Sequence, residues 1–371
     1  MAIPQQWQGR LRLPVVAAPM FLVSFPQMVM TTCKNGVVGT FPSLNQRSAE
    51  GFDDWLFEIE EGLDPAVDAP YGVNLIVNRN NPRVEEDLQV CKKHQVPLII
   101  TSLGAISELV DEVHGWGGLV FHDVTTRRHA EKAIEAGVDG LILVSAGAGG
   151  HAGRINPFAF VPEIRAMFDG TLLLGGCIGD GRGLAAARAL GVDMGYIGTR
   201  FINTQEAAAP DEFKDMIIAA GSTDVIYTDA ISGVHGNFLK PSIVAAGLDP
   251  ENLPPGGGKY KTGHERRAPE GEERKAWKNI WSAGQGVANI TDVPTIGELV
   301  DRFEREYTAA RGAAKAAPPA WVRSRGTWNS SRWARVRCRQ APAGAANTAS
   351  APVGYLPCKA VRSAGAPSTA N

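Results

Sequence analysis

The sequence predicts a (β/α)8 TIM barrel, followed by a small cap inserted after the eighth strand and a disordered C-terminal tail. Two observations predict it. Eight short apolar runs between residues 13 and 197 lack apolar–polar alternation, as expected of parallel strands buried on both faces. Segments with a 3.6-residue apolar period separate them, and eight such repeats favour a closed barrel over an open doubly wound sheet.

The strand candidates are residues 13–19, 36–41, 71–77, 96–101, 118–122, 140–144, 171–174 and 194–197, each rich in Val, Ile and Leu. Helical periodicity occupies, among others, 83–94, 105–114, 127–136, 158–168 and 183–190. Gly137 and Gly191 stand just past the last turn of two of these helices, where a left-handed C-cap favours glycine. Strand-like runs resume a few residues later. On this pattern residues 1–221 form the barrel. Residues 222–290, rich in Gly, Pro, Asn and Lys and irregular over 253–267, form a cap. Residues 291–311 carry a closing helix, with its periodic run at 295–310.

From 312 to 371 the chain turns Ala-, Pro-, Ser- and Arg-rich and loses periodicity, which reads as disorder or as a frame-shifted reading of the gene. Ten of the 37 basic residues and none of the 39 acidic ones lie from Arg311 onward. The remaining body is acidic, which gives no reason to expect nucleic-acid binding. No run approaches the ~18 apolar residues of a membrane span, and no basic-then-apolar leader opens the sequence, so a cytoplasmic location is expected. The five cysteines lack C-x-x-C pairing, which argues against a structural metal site or a disulfide scaffold. Cys177, inside a glycine-rich stretch, reads as a buried reduced thiol.

In such barrels the loops after the strands form the active face, and phosphates commonly sit after strands seven and eight. Here the seventh candidate runs into Gly175-Gly176-Cys177-Ile178-Gly179-Asp180-Gly181-Arg182-Gly183, and the eighth ends at Gly198-Thr199. Glycines let backbone N–H groups approach a phosphate, and a following helix adds a positive dipole. The loop after strand six, Ser145 to Gly153, carries His151 among glycines. Its G-x-G-x-x-A spacing is a poor dinucleotide fingerprint, because Asn156-Pro157 starts the helix too late. A glycine-lined loop suits a flat ring lying against backbone, with His151 above it as acid or base. The competing reading is an imidazole that stabilises the turn or orients a ligand.

The ordered set VVAAPM (15–20), YGVNLIV (71–77), GGHAG (149–153), GGCIGDGRG (175–183) and GTRF (198–201) resembles the nitronate monooxygenase family over roughly residues 10–290. The resemblance implies one FMN. Ala18, Pro19 and Met20 contact its isoalloxazine, Asn74 hydrogen-bonds it, and Gly149 and Gly150 line it. Gly176, Gly179 and Gly181 hold the phosphate with Gly198 and Thr199, and the segment 281–286, containing Gln285, returns to the ring. His151 matches the active-site histidine, and no metal is implied.

The implied partners are a nitronate and O2, and the implied reaction is oxidation to a carbonyl compound and nitrite, with nitroalkanes as further substrates. The alternatives are an NAD(P)H:quinone reductase or a flavin-dependent enoyl-thioester reductase on the same fold. From another class comes a barrel that only binds a phosphorylated ligand. Similar quinone reductases carry His-Lys where this chain has His122-Asp123, and these two residues read first as structural hydrogen-bonders. Family members often have an S-G-R stretch near Ser232. Its absence leaves His235 or Lys240 to supply positive charge.

Overall fold

The computed structural model describes residues 3–78, 81–104, 107–253 and 279–315. The chain divides into Met1–Ala316 and Ala317–Asn371, and the second unit lies outside the described residues. So do most of the expected tail and nearly all of the irregular cap stretch at 253–267.

Eight parallel strands close into a barrel: β1 (Val15–Ala17), β2 (Val38–Pro42), β3 (Tyr71–Ile76), β4 (Leu98–Ser102), β5 (Leu119–Val124), β6 (Gly140–Val144), β8 (Thr171–Gly175) and β9 (Met194–Ile197). Closure comes from β1 pairing with β9, with Val16 opposite Tyr196. All eight sequence candidates are present. The first is cut to three residues between Pro14 and Pro19, which lack the N–H a ladder needs. The fifth ends two residues later than expected, so Asp123 as well as His122 lies within its C-terminal end.

The absence of alternation has a direct cause. Val16, Val38, Ile100, Phe121, Ile142, Leu173 and Met194 fill the barrel interior with Trp7, whose ring lies 5.5 Å from that of Phe121. The neighbouring residues Val15, Ala17, Ile99, Val120, Leu141 and Leu172 face the outer helices. Both faces are dry, and each fully buried large side chain contributes about 1.5–3 kcal/mol.

The connecting helices are α1 (Pro26–Lys34), α2 (Ala49–Gly62), α3 (Val84–Lys93), α4 (Ser107–Gly115), α5 (Arg127–Glu135), α6 (Pro157–Arg165) and α7 (Gly181–Leu190), followed by α8 (Thr199–Ile202) and α9 (Asp211–Ala219). Their starts follow capping chemistry: Ser48, Thr126, Asn156 and Asp180 each accept a hydrogen bond from a first-turn amide. Gly137 and Gly191 take positive φ beyond α5 and α7, as expected. Because Asp180 caps α7, that helix begins at Gly181, two residues before the periodic run.

After α9 the chain forms β10 (Val225–Thr228), β11 (Gly236–Leu239) and the short α10 (Lys240–Ala245). β11 lies between β10 and a two-residue strand, β7 (Gly150–His151), in an antiparallel sheet. The closing helix α11 spans Ile296–Lys315, four residues past the expected boundary at 311, and packs on α7. Among the described residues no helix is long and apolar enough to cross a membrane.

Candidate functional site

Beyond the C-terminal ends of the strands lies a cavity of about 1630 Å3. Of the thirteen residues expected at a site, Ala18, Pro19, Met20, Asn74, Gly149, Gly150, His151, Gly176, Gly179, Gly198 and Thr199 all border it. The other two, Gly181 and Gln285, do not.

The end of β8 has the features of an anion cradle. Gly176, Cys177, Ile178 and Gly179 all line the cavity, and none of their amides is spent on a backbone hydrogen bond. Successive amides left unspent in a tight turn form a nest for an anion. The turn depends on Gly176 at φ +130°, where an added Cβ falls 2.5 Å from Ser145 Oγ. Gly181 departs from expectation because its amide donates to Glu306 at 2.8 Å, and the backbone of α11 presses against it there. Its glycine serves helix packing, and the cradle ends at Gly179. Cys177 also departs: it is exposed on the cavity wall at φ +59° rather than buried. Partial burial still pushes its thiol pKa up, away from a reactive thiolate.

Four further segments converge on this point. Thr199 Oγ1 accepts from the amide of Gly284 at 2.9 Å, and an added Cβ on Gly149 lies 3.0 Å from both groups. An added Cβ on Gly198 lies 3.5 Å from the Ala18 Cβ. Gln285 braces this junction from behind, its amide donating to Gly147 O at 2.9 Å, while Gly284 and Gly286 reach the cavity. At this junction the wall is therefore largely backbone, as a flat ring and its phosphate require. The residues present fit FMN.

His151 is held by pairing rather than by a free loop. β7 pairs with β11, with His151 opposite Gly236. Asn237, 2% exposed, donates to Ala148 O at 2.7 Å, and the Gly150 amide donates to Ser282 Oγ at 2.6 Å. Ser232 donates its only hydroxyl proton to Val234 O at 2.8 Å and lies 3.3 Å from His151 Nε2. Ser232 therefore accepts from His151, which places the ring proton on Nε2 and the lone pair on Nδ1. Burial pushes the imidazole pKa down to about 4.

The β3–β5 wall is polar. Asn74 Nδ2 donates to Ile100 O at 3.1 Å and to Ser102 Oγ at 2.9 Å, and Ser102 donates to Asp123 Oδ2 at 2.6 Å. Thr101 Oγ1 lies 2.7 Å from His122 Nδ1. Burial, with a smaller contribution from His129, lowers the His122 pKa to about 4. Burial raises Asp123 to about 6 against the Ser102 hydrogen bond, and lifts Tyr196 well above the usual phenol range. Both His122 and Asp123 border the cavity, so their structural bonds do not remove them from the site.

Of the two candidate cations, His235 borders the cavity, its ring stacked on Tyr227 at 5.1 Å. Lys240 does not, and pairs with Glu251 at 3.3 Å. Asn45 has no motif to announce it, yet it fixes the Pro19-Met20 turn. Its Oδ1 accepts from Leu22 N at 2.8 Å, and its Nδ2 donates to Met20 O at 3.1 Å and Ser24 O at 2.8 Å. Among the described residues no group of three His, Cys, Asp or Glu is placed to hold a metal.

A family model described as nitronate monooxygenase matches residues 81–306. An octahydro-indene-carboxyl-CoA dehydrogenase from Rhodococcus jostii is 28% identical over 234 residues, 62% of this chain and 64% of its own length. The chain thus spans somewhat under two thirds of that relative. A nitronate monooxygenase from Paraburkholderia phytofirmans is 24% identical over 341 residues, covering 79% of this chain and 92% of its own. In three dimensions a nitroalkane oxidase from Streptomyces ansochromogenes superposes with a TM-score of 0.72 at 22% identity, over 83% of this chain and 99% of its own, which establishes the fold.

Proposed function

Because this chain belongs to the nitronate monooxygenase family, whose members are FMN-dependent flavoenzymes, we propose that it oxidises alkyl nitronates with O2, releasing a carbonyl compound and nitrite. Nitroalkanes are further substrates once deprotonated. One observation carries the reading: His151 and the unspent amides of 176–179 border a single cavity at one end of the barrel.

The residues that would hold FMN are Gly176 and Gly179 at the phosphate, with Gly198 and Thr199 beside them. Ala18, Pro19, Met20, Gly149 and Gly150 lie along the ring, and Asn74 Oδ1 serves as an acceptor because both Nδ2 hydrogens are committed. When bound, FMN supplies the electron acceptance and the reaction with O2. His151 handles the proton. Neutral above its lowered pKa, its imidazole accepts the α-proton of a nitroalkane and hydrogen-bonds a nitronate through the imidazolium that results. The β7–β11 pairing keeps that ring fixed during the transfer.

His151→Asn is expected to retain FMN and to slow nitroalkane turnover by about 10²–10⁴-fold, the usual contribution of a positioned base. Oxygen uptake with a neutral nitroalkane is the measurement, and unchanged turnover removes His151 from the role. A second reading, flavin chemistry on a CoA thioester, is favoured by two observations. The cavity exceeds the ~300–1,000 Å3 usual for small-ligand sites, and one relative bears the name of a CoA thioester dehydrogenase. Rapid anaerobic bleaching by NADH, without oxygen uptake on nitronate, selects a reductase instead.

A further inference from the structure

The carboxyl of Asp123 has no task in the reaction above, yet it borders the same cavity, at the end of β5 and in register with Ile142 of β6. Its Oδ2 ends a relay that starts at a cavity-lining amide, Asn74 to Ser102 to Asp123. Its Oδ1 is buried with no hydrogen-bond partner. An ionised carboxylate with one oxygen unfed by any donor is costly in a dry site, whereas a neutral acid is tolerated. The titratable neighbours do not relieve that cost. His122 precedes Asp123 on β5, His151 stands on β7, Tyr196 on β9, and His129 and Lys132 on α5, all bordering the cavity, yet only burial and the Ser102 hydrogen bond bear on the Asp123 carboxyl. The His122 and His151 imidazoles are neutral near pH 7, and the phenol supplies no cation.

We propose that Asp123 sets the electron affinity of the bound flavin: as a neutral acid it permits electrons onto the ring, and as a carboxylate it opposes them. The proposal rests on the flavin reading above. Reduction adds negative charge to the ring, and a fixed carboxylate in a low-dielectric cavity raises the free energy of that charge. The acid is neutral below a pKa of about 6 before any ligand enters, and a ring packed into the cavity desolvates it further. Asp123 thereby acts as a positioning and tuning residue, and no bond to it forms or breaks.

The test is the two-electron midpoint potential of the FMN-loaded protein, titrated with dithionite against a reference dye between pH 5 and 9. Wild type is expected to show a break as Asp123 ionises. Asp123→Asn is expected to lack the break and, above it, to favour reduced flavin at least tenfold more, about 30 mV for a two-electron couple. Ser102→Ala, which removes the hydrogen bond that favours the carboxylate, is expected to move the break to higher pH. Infrared difference titration of the flavin-free protein gives an independent readout, a protonated-carboxyl band at pH 5 that Asp123→Asn removes. Identical potential profiles in wild type and Asp123→Asn, or no such band, overturn the proposal alone. A folded protein that takes up no FMN overturns the function proposed above, and this inference with it.

Discussion

Replacing His122 with Asn isolates one strand-end imidazole and gives the clearest energetic test of the β3–β5 wall. The side chain is 5% exposed and bonded to Thr101, and burial lowers its pKa from 6.5 to about 4. One pKa unit is about 1.36 kcal/mol, so this group is linked to roughly 3 kcal/mol of folding free energy. The sign follows from the lowered pKa. The contribution is complete above the unfolded-state value and is lost as pH falls from 6.5 toward 4, because the unfolded chain takes the proton first.

His151 adds a loss of the same sign. Asp123, raised to about 6, acts oppositely: its contribution is complete below the unfolded carboxyl value and is lost as pH rises through 6. Between pH 6 and 4 two imidazoles therefore cost stability while one carboxyl returns part of it. Urea unfolding followed by tryptophan fluorescence at pH 7.5, 6, 5 and 4.5 measures the slope. His122→Asn is expected to be less stable than wild type at pH 7.5, for want of a well-formed Thr101 bond, and to lose about 3 kcal/mol less on acidification. Parallel profiles for the two proteins would refute the buried neutral imidazole.

Two further outcomes follow from the loops. Gly176→Ala places a Cβ at φ +130° and 2.5 Å from Ser145 Oγ; a strain of about 1–3 kcal/mol and a clear loss of FMN retention are expected, read by thermal unfolding and flavin absorbance after gel filtration. Asn45→Ala removes three hydrogen bonds to the Met20–Ser24 turn, at roughly 2–4 kcal/mol, and is expected to weaken FMN binding measured by fluorescence titration although Asn45 does not line the cavity.

The barrel was legible because its cause is local. A strand buried on both faces must be apolar at successive positions, and a helix must end near a residue that tolerates positive φ, as at Gly137 and Gly191. The glycine loop after β8 was legible for the same reason, up to Gly179. Gly181 misled because one residue type serves two purposes: a glycine that lets α11 approach reads like a glycine that lets a phosphate approach. Cys177 misled because a small apolar residue beside a strand end carries no mark of the wall it faces. Asn45 and Asn237 had no periodicity or spacing to reveal them, since each acts through a backbone group distant in sequence. The environment of Asp123 was equally hidden. The residue was visible at a strand end, but its donor sits 21 positions away on the next strand.

The seam between β7 and β11 ties Gly150 and His151 to residues 236 and 237, across most of two further β–α units. The cap is consequently no detachable lid. A chimera that grafts a relative's 222–253 segment onto this barrel re-seats the imidazole as well as re-lining the chamber. Drift in the cap during evolution therefore shifts substrate choice and proton handling together, and any engineer seeking to change one inherits the other.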